Sequence, residues 1–262
     1  MYKILSVGTS FNYGLGLHFY KRKELGLPIN FNVSDEERYF NYKNSYSVIL
    51  GEKLKLPTEL AASSGSSNFL DAIRELKKLQ SGFFKPKVII LQLTNVHRDF
   101  FIYDDKIYKL DFETYDGFIK SKKELIDNVA VGNKLDFVNK LNAEIELFLS
   151  NEVEWRKKQT TFFINRINEL DNILKDKNII LKVISYSQDY KENIDKFNKD
   201  LFVKIDYKGI QFSNIFDFVN VNKLRIKDDI GVDDDHPNFK AHQIVADSLY
   251  ESIIKHLLYS TI

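Results

Sequence analysis

The 262-residue chain contains no cysteine. This excludes disulfides and thiolate-held metals, and it removes a thiol nucleophile from any mechanism. An excess of one charge is also missing: 38 Lys and Arg face 37 Asp and Glu, a formal net charge of +1. The two signs are interspersed, as on a solvated surface, so no nucleic-acid or acidic-membrane partner is expected. No apolar run approaches the ~18 residues of a membrane span. No internal repeat or low-complexity segment breaks the chain. Met1 to Gly8 is too short for a signal peptide and reads as a first core strand. The expectation is a cytoplasmic protein without a transmembrane segment. What the chain does have is 44% hydrophobic content, enough for one large core or two small ones.

Short apolar runs mark the strands. Tyr2–Val7, Thr58–Ala62, Lys87–Leu93 and the run Ile179–Ser185 read as strands buried in a parallel sheet, and Phe216–Val219 reads as a fifth. Helical spacing is expected over Ser45–Leu54, over Phe69–Leu79, over Trp155–Lys175 and after Pro237. Tyr20 to Tyr42 is polar, aromatic and irregular, and is expected to be a loop. Residues 100–154 read as an insertion, helical from about Ser121 to Ser150. Strands alternating with helices predict a three-layer α/β/α sandwich, with a central parallel sheet of about five strands and one domain over 1–262.

The candidate chemistry sits at element ends. Ser10 follows the first strand by two residues, with Gly8 allowing tight backbone geometry beside it. In open α/β sheets, ligands bind at that carboxyl edge. Ser63 to Asn68 form a Gly-Ser turn ahead of a helix, which can present N–H groups to a developing oxyanion or simply cap the helix. Asn95 ends the third strand; its amide can donate to a substrate oxygen or close a turn. Arg98 can meet an anionic substrate group or pair with Asp99. Near the C-terminus, Asp233-Asp234-Asp235-His236-Pro237-Asn238 places three acids before an imidazole. It reads either as a catalytic loop or as an acidic cap on the last helix.

Ser10, Gly65, Asn95 and His236 occur in the order of the four blocks of the SGNH, or GDSL-like, hydrolase family. Gly8 to Gly14 resembles its Gly-Asp-Ser block, with Thr9 in place of Asp. Ser64 to Asn68 resembles the second block. Leu93 to Val96 resembles Gly-x-Asn-Asp, with Leu93 and Val96 in place of Gly and the second Asp. Asp233 to Asn238 is similar to the Asp-x-x-His block.

The resemblance spans nearly the whole chain and implies a flavodoxin-like SGNH hydrolase fold. It also implies a serine esterase in which Ser10 is the nucleophile, His236 the base and Asp233 the orienting acid. Ser10, Gly65 and Asn95, or Asn68 in place of Asn95, would form the oxyanion hole. No metal and no cofactor is implied. The expected substrate is a small acyl ester, with acetyl on a carbohydrate favoured. An O-acyltransferase acting on a surface polysaccharide through the same triad, and a non-catalytic binding protein that keeps the fold, are the alternatives.

Overall fold

The computed structural model describes residues 3–30, 32–62, 86–104, 106–108, 110 and 115–259. The strands are β1 (Lys3–Gly8), β2 (Thr58–Ala62), β3 (Pro86–Leu93), β4 (Phe101–Tyr103), β5 (Lys106–Tyr108), β6 (Ile180–Ser185), β7 (Ile205–Tyr207) and β8 (Ile210–Phe212). Four of them form the central sheet in the order β2-β1-β3-β6. All its pairings are parallel, with Val7 opposite both Ala61 and Leu91, and Leu93 opposite Ser185. β4–β5 and β7–β8 are separate antiparallel hairpins.

The apolar runs of β1, β3 and β6 have the physical cause expected of parallel strands, burial on both faces. Leu5, Val7, Ile89, Leu91, Leu93, Leu181 and Val183 point to one side, into a core shared with Phe137, Trp155, Phe163, Ile167 and Leu174. Ile4, Val88, Ile90, Ile180 and Ile184 point to the other, against Tyr46, Leu50, Val245, Leu249 and Ile253. The first layer comes from helices Lys134–Ser150 and Glu152–Lys175, the second from Tyr46–Leu54 and the final helix Phe239–Tyr259.

Two expectations fail. Phe216–Val219 is not a fifth strand but lies in helix Ile215–Val221. Asn214 caps that helix, accepting from the Asp217 N–H at 2.7 Å, and Ile215, Phe218 and Val219 bury one helical face. Tyr20–Tyr42 is not a loop throughout, because helices His18–Glu24 and Asp35–Lys43 occupy much of it. Ser34 and Glu37 form a reciprocal capping box at the second of these. Residues 100–154 carry the β4–β5 hairpin and helices Tyr115–Asn128 and Lys134–Ser150, more regular than the single helical stretch expected. The expected helix over Phe69–Leu79 lies outside the described residues.

Candidate active site

β1, β3 and β6 run parallel, so Ser10, Asn95 and Tyr186 leave the sheet at the same edge. After Gly8 the chain turns sharply, with Asn12 N–H donating to Thr9 O at 2.9 Å and Leu15 N–H to Ser10 O at 3.1 Å. Gln92, buried in β3, holds the start of this turn: its Oε1 accepts from the Thr9 N–H at 3.0 Å and the Thr9 hydroxyl at 3.2 Å. A Cβ on Gly8 would stand 2.7 Å from that Oε1 and 2.8 Å from Asn12 Nδ2, so the close approach requires glycine. Asn12 Oδ1 in turn accepts from the buried hydroxyls of Ser6 and Ser47.

His236 arrives from the opposite end of the chain. Its loop lies along residues 224–227, with Ile226 N–H donating to His236 O, Lys227 N–H to Asp234 O and Asn238 N–H to Leu224 O, at 2.8 to 3.0 Å. Asn238 then caps the final helix through its Oδ1 to the Ala241 N–H. Held in this way, His236 Nε2 lies 3.2 Å from Ser10 Oγ. The two residues that the sequence separates by 226 positions therefore meet at the carboxyl edge of the sheet.

The carboxylate on the imidazole is Asp234, not the expected Asp233. Asp234 Oδ1 lies 2.5 Å from His236 Nδ1 and accepts from the His236 N–H at 2.7 Å. The second contact is an Asx-turn, a side-chain oxygen bonded to the backbone two residues on, and it carries the carboxylate to the ring of that same residue. Asp233 is exposed, and Asp235 turns outward to Arg225 and Lys227. Accepting at Nδ1, Asp234 assigns the Nδ1–H tautomer and leaves Nε2 to accept the Ser10 proton. Its side chain is 1% exposed, and Oδ2 has no hydrogen-bond partner among the described residues.

The remaining expected residues are placed less fully. Asn95 is exposed at the end of β3, at the N-terminus of the 3-10 helix Val96–Asp99. Gly65 and Asn68 lie outside the described residues, and so does the side chain of Arg98. Phe11, next to Ser10, is sandwiched between Tyr186 at 3.6 Å and the His236 ring at 4.6 Å between centroids. Phe216, 38% exposed, meets Tyr186 edge-on. Reading the sequence missed Asp234, Gln92, Phe11 and Tyr186. The Asp-x-His spacing was the available signal for Asp234. For Gln92 it was an amide in the middle of an apolar strand.

Among the described residues no group of three or more His, Cys, Asp or Glu could hold a metal, and no helix is long and apolar enough to cross a membrane. No family model and no curated protein matches the sequence. Solved structures do. A family two carbohydrate esterase from Clostridium thermocellum, in complex with cellohexaose, is 15% identical with a TM-score of 0.38, over 98% of this chain and 64% of that one. The acetyl xylan esterase Est2A from the rumen bacterium Butyrivibrio proteoclasticus is 14% identical with a TM-score of 0.42, over 98% and 64%. The psychrotrophic esterase EstA from Pseudoalteromonas sp. is 15% identical with a TM-score of 0.43, over 98% and 99%. The chain thus spans less than two thirds of the two carbohydrate-active enzymes it resembles. At these scores the likeness carries no argument about chemistry, which rests on the side chains themselves.

Proposed function

We propose that this protein is a serine esterase that removes a small acyl group, acetyl from a carbohydrate in the favoured case, through a covalent Ser10 intermediate. The observation that carries the reading is the continuous chain Ser10 Oγ, His236 Nε2, His236 Nδ1, Asp234 Oδ1, with steps of 3.2 and 2.5 Å across the ring. Ser10 Oγ attacks the acyl carbon while His236 Nε2 takes the hydroxyl proton, and Asp234 stabilises the imidazolium. Collapse of the tetrahedral intermediate breaks the acyl–oxygen bond, and the same proton passes to the leaving alcohol. Water then repeats the sequence in reverse and releases the acid.

Oxyanion donors are the backbone N–H of Ser10, which has no acceptor among the described residues, and the Asn95 amide at the same edge. Gly65 completes the set in the family pattern. The preference for a sugar ring over a long acyl chain is supported by the aromatic residues Tyr186 and Phe216, which follow β6, Tyr186 lying against Phe11 beside the nucleophile and Phe216 against Tyr186.

The test is turnover of p-nitrophenyl acetate and labelling by a fluorophosphonate. Wild type should do both, and Ser10→Ala and His236→Ala should each fall to the same low background, because nucleophile and base act as one unit. A wild type that neither labels nor turns over defeats the proposal in favour of a binding role. Labelling with turnover only when a sugar acceptor is added assigns an O-acyltransferase instead.

A further inference from the structure

The loop that carries Asn95 is fastened from outside. Asn95 stands at the position where an Asn side chain ordinarily caps its own turn, yet it makes no such cap bond to the 3-10 helix it precedes. A neighbouring orphan donor of the same helix, its first N–H, is satisfied from 93 positions beyond Val96: Asp189 Oδ2 accepts from the Val96 N–H at 2.9 Å. Asp189 lies in the 3-10 helix Gln188–Lys196 that follows β6, the strand paired with β3, and its side chain is 10% exposed.

The carboxylate is itself clamped. Its other oxygen receives Arg156 Nη1 at 2.6 Å, and Arg156 Nε and Nη2 both donate to Glu152 Oε1 at 2.9 and 2.7 Å. Glu152 Oε1 also lies 3.4 Å from His97 Nε2, two residues past Asn95. The network therefore grips the loop at Val96 and at His97. The first grip fixes the peptide plane between Asn95 and Val96, and with it the Asn95 ψ of 136° that sets where the side chain leaves the backbone. Charge-assisted bonds of this kind are roughly twice as strong as neutral ones, and pre-organised donors need no reorganisation as charge develops.

We propose that Asp189 is a positioning residue for the oxyanion: by capping Val96 from another segment, and under the Arg156 clamp, it holds Asn95 where its amide meets the developing negative charge. This rests on the esterase reading above and adds to it a residue outside the four sequence blocks. The role is positional, because Asp189 acts through the backbone next to Asn95 and not on the substrate.

The experiment is a double-mutant cycle on p-nitrophenyl acetate hydrolysis with Asp189→Ala, Asp189→Asn, Asn95→Ala and the Asn95→Ala/Asp189→Ala pair, alongside Ser10→Ala. Asp189→Ala should lower kcat about tenfold and leave KM within twofold, as expected of an interaction made only in the transition state. Asp189→Asn should recover most of the rate, since its amide oxygen can still accept the Val96 N–H. In the Asn95→Ala background, Asp189→Ala should change the rate by less than twofold. Arg156→Gln, which leaves the acceptor but removes its clamp, should give a smaller loss that also vanishes in that background, and it carries the test if Asp189→Ala does not fold. An equal loss with and without Asn95, a change confined to KM, or an Asn95→Ala enzyme with unchanged kcat overturns the proposal while Ser10→Ala remains inactive. Full activity in Ser10→Ala would instead overturn the esterase reading.

Discussion

Asp234 binds His236 twice, through the ring at 2.5 Å and through the backbone N–H at 2.7 Å, both on the same carboxylate oxygen. The imidazole is thereby oriented by a residue whose own position depends on the turn that His236 ends. Asp234→Asn should keep the backbone contact through its amide oxygen. It removes the charge that stabilises the imidazolium. We expect kcat to fall on the order of 10⁴-fold. Asp233→Asn and Asp235→Asn should stay within a few-fold of wild type, because neither carboxylate reaches the ring. Steady-state kinetics of the three variants decides it, and a loss at Asp233 matching that at Asp234 would reverse the assignment.

Gly16 supports that geometry from behind. Its φ is +91°, and a Cβ there would lie 2.7 Å from Asp234 Oδ2 and 2.6 Å from Ile226 Cδ1. Gly16→Ala therefore combines a disfavoured backbone with a collision against the carboxylate and the residue that anchors the His236 loop. The expected cost is about 1–3 kcal/mol of stability, with a loss of kcat greater than a remote variant of equal stability shows. Urea unfolding together with kcat at a temperature where both variants are folded separates the two effects.

The segment formed by helices His18–Glu24 and Asp35–Lys43 holds a buried ion pair. Arg22 donates to Glu37 through Nε at 2.6 Å and Nη2 at 2.9 Å, and also to Pro28 O and Asn32 O. The Arg22 bond holds the Glu37 carboxyl down to about 2. The same segment reaches the His236 side of the molecule through Tyr20 to Asp229 and Lys23 to Ile230 O. Glu37→Ala would leave Arg22 uncompensated and remove half of the capping box. A loss of stability is expected, seen as a lower thermal midpoint with p-nitrophenyl acetate turnover failing at that lower temperature. An unchanged midpoint would mean that the segment contributes no stability through this pair.

Much of the fold was legible because burial on two faces leaves apolar runs, and β1, β2, β3 and β6 were read within a residue or two of their bounds. Phe216–Val219 was misread because four residues carry either period. The Asn214 cap and the burial of Ile215, Phe218 and Val219 at helical steps were the deciding signals. The two helices in 18–43 were masked by polar composition, though Ser34-x-x-Glu37 spelled a capping box. At the candidate site, the places of Ser10 and His236 at element ends left a catalytic and a purely structural reading open, and the resemblance of the four blocks singled the two residues out. Which of three adjacent acids faces the ring was not identifiable, because the loop's pairing with residues 224–227 decides it. Gln92 stood out as an amide in an apolar strand, but that its partner is Thr9, and that the partner of Asp189 is the Val96 N–H, depends on tertiary packing that no local pattern reveals.

His242 makes stability depend on pH. It is buried in the final helix, its Nδ1 accepts from the Tyr46 N–H at 3.1 Å, and its ring stacks on Tyr46. Burial, with His236 nearby adding repulsion, pushes its pKa down to about 3. The folded state thus refuses a proton that the unfolded chain takes up near 6.5, and stability is lost as pH falls from about 6.5 toward 3. At pH 4.5 the loss from this group is about 2–3 kcal/mol. Burial displaces His18, His97 and His256 in the same direction, so the wild-type slope is a sum. His242→Asn keeps an oxygen to accept from Tyr46 but cannot titrate, and the difference between the two proteins isolates the one imidazole. Urea unfolding at pH 7 and pH 4.5 should show the variant less stable than wild type at pH 7, where a cavity is its main change, and losing about 2–3 kcal/mol less than wild type on acidification. Parallel losses in the two proteins would mean that His242 accepts its proton in the folded state and does not couple folding to pH.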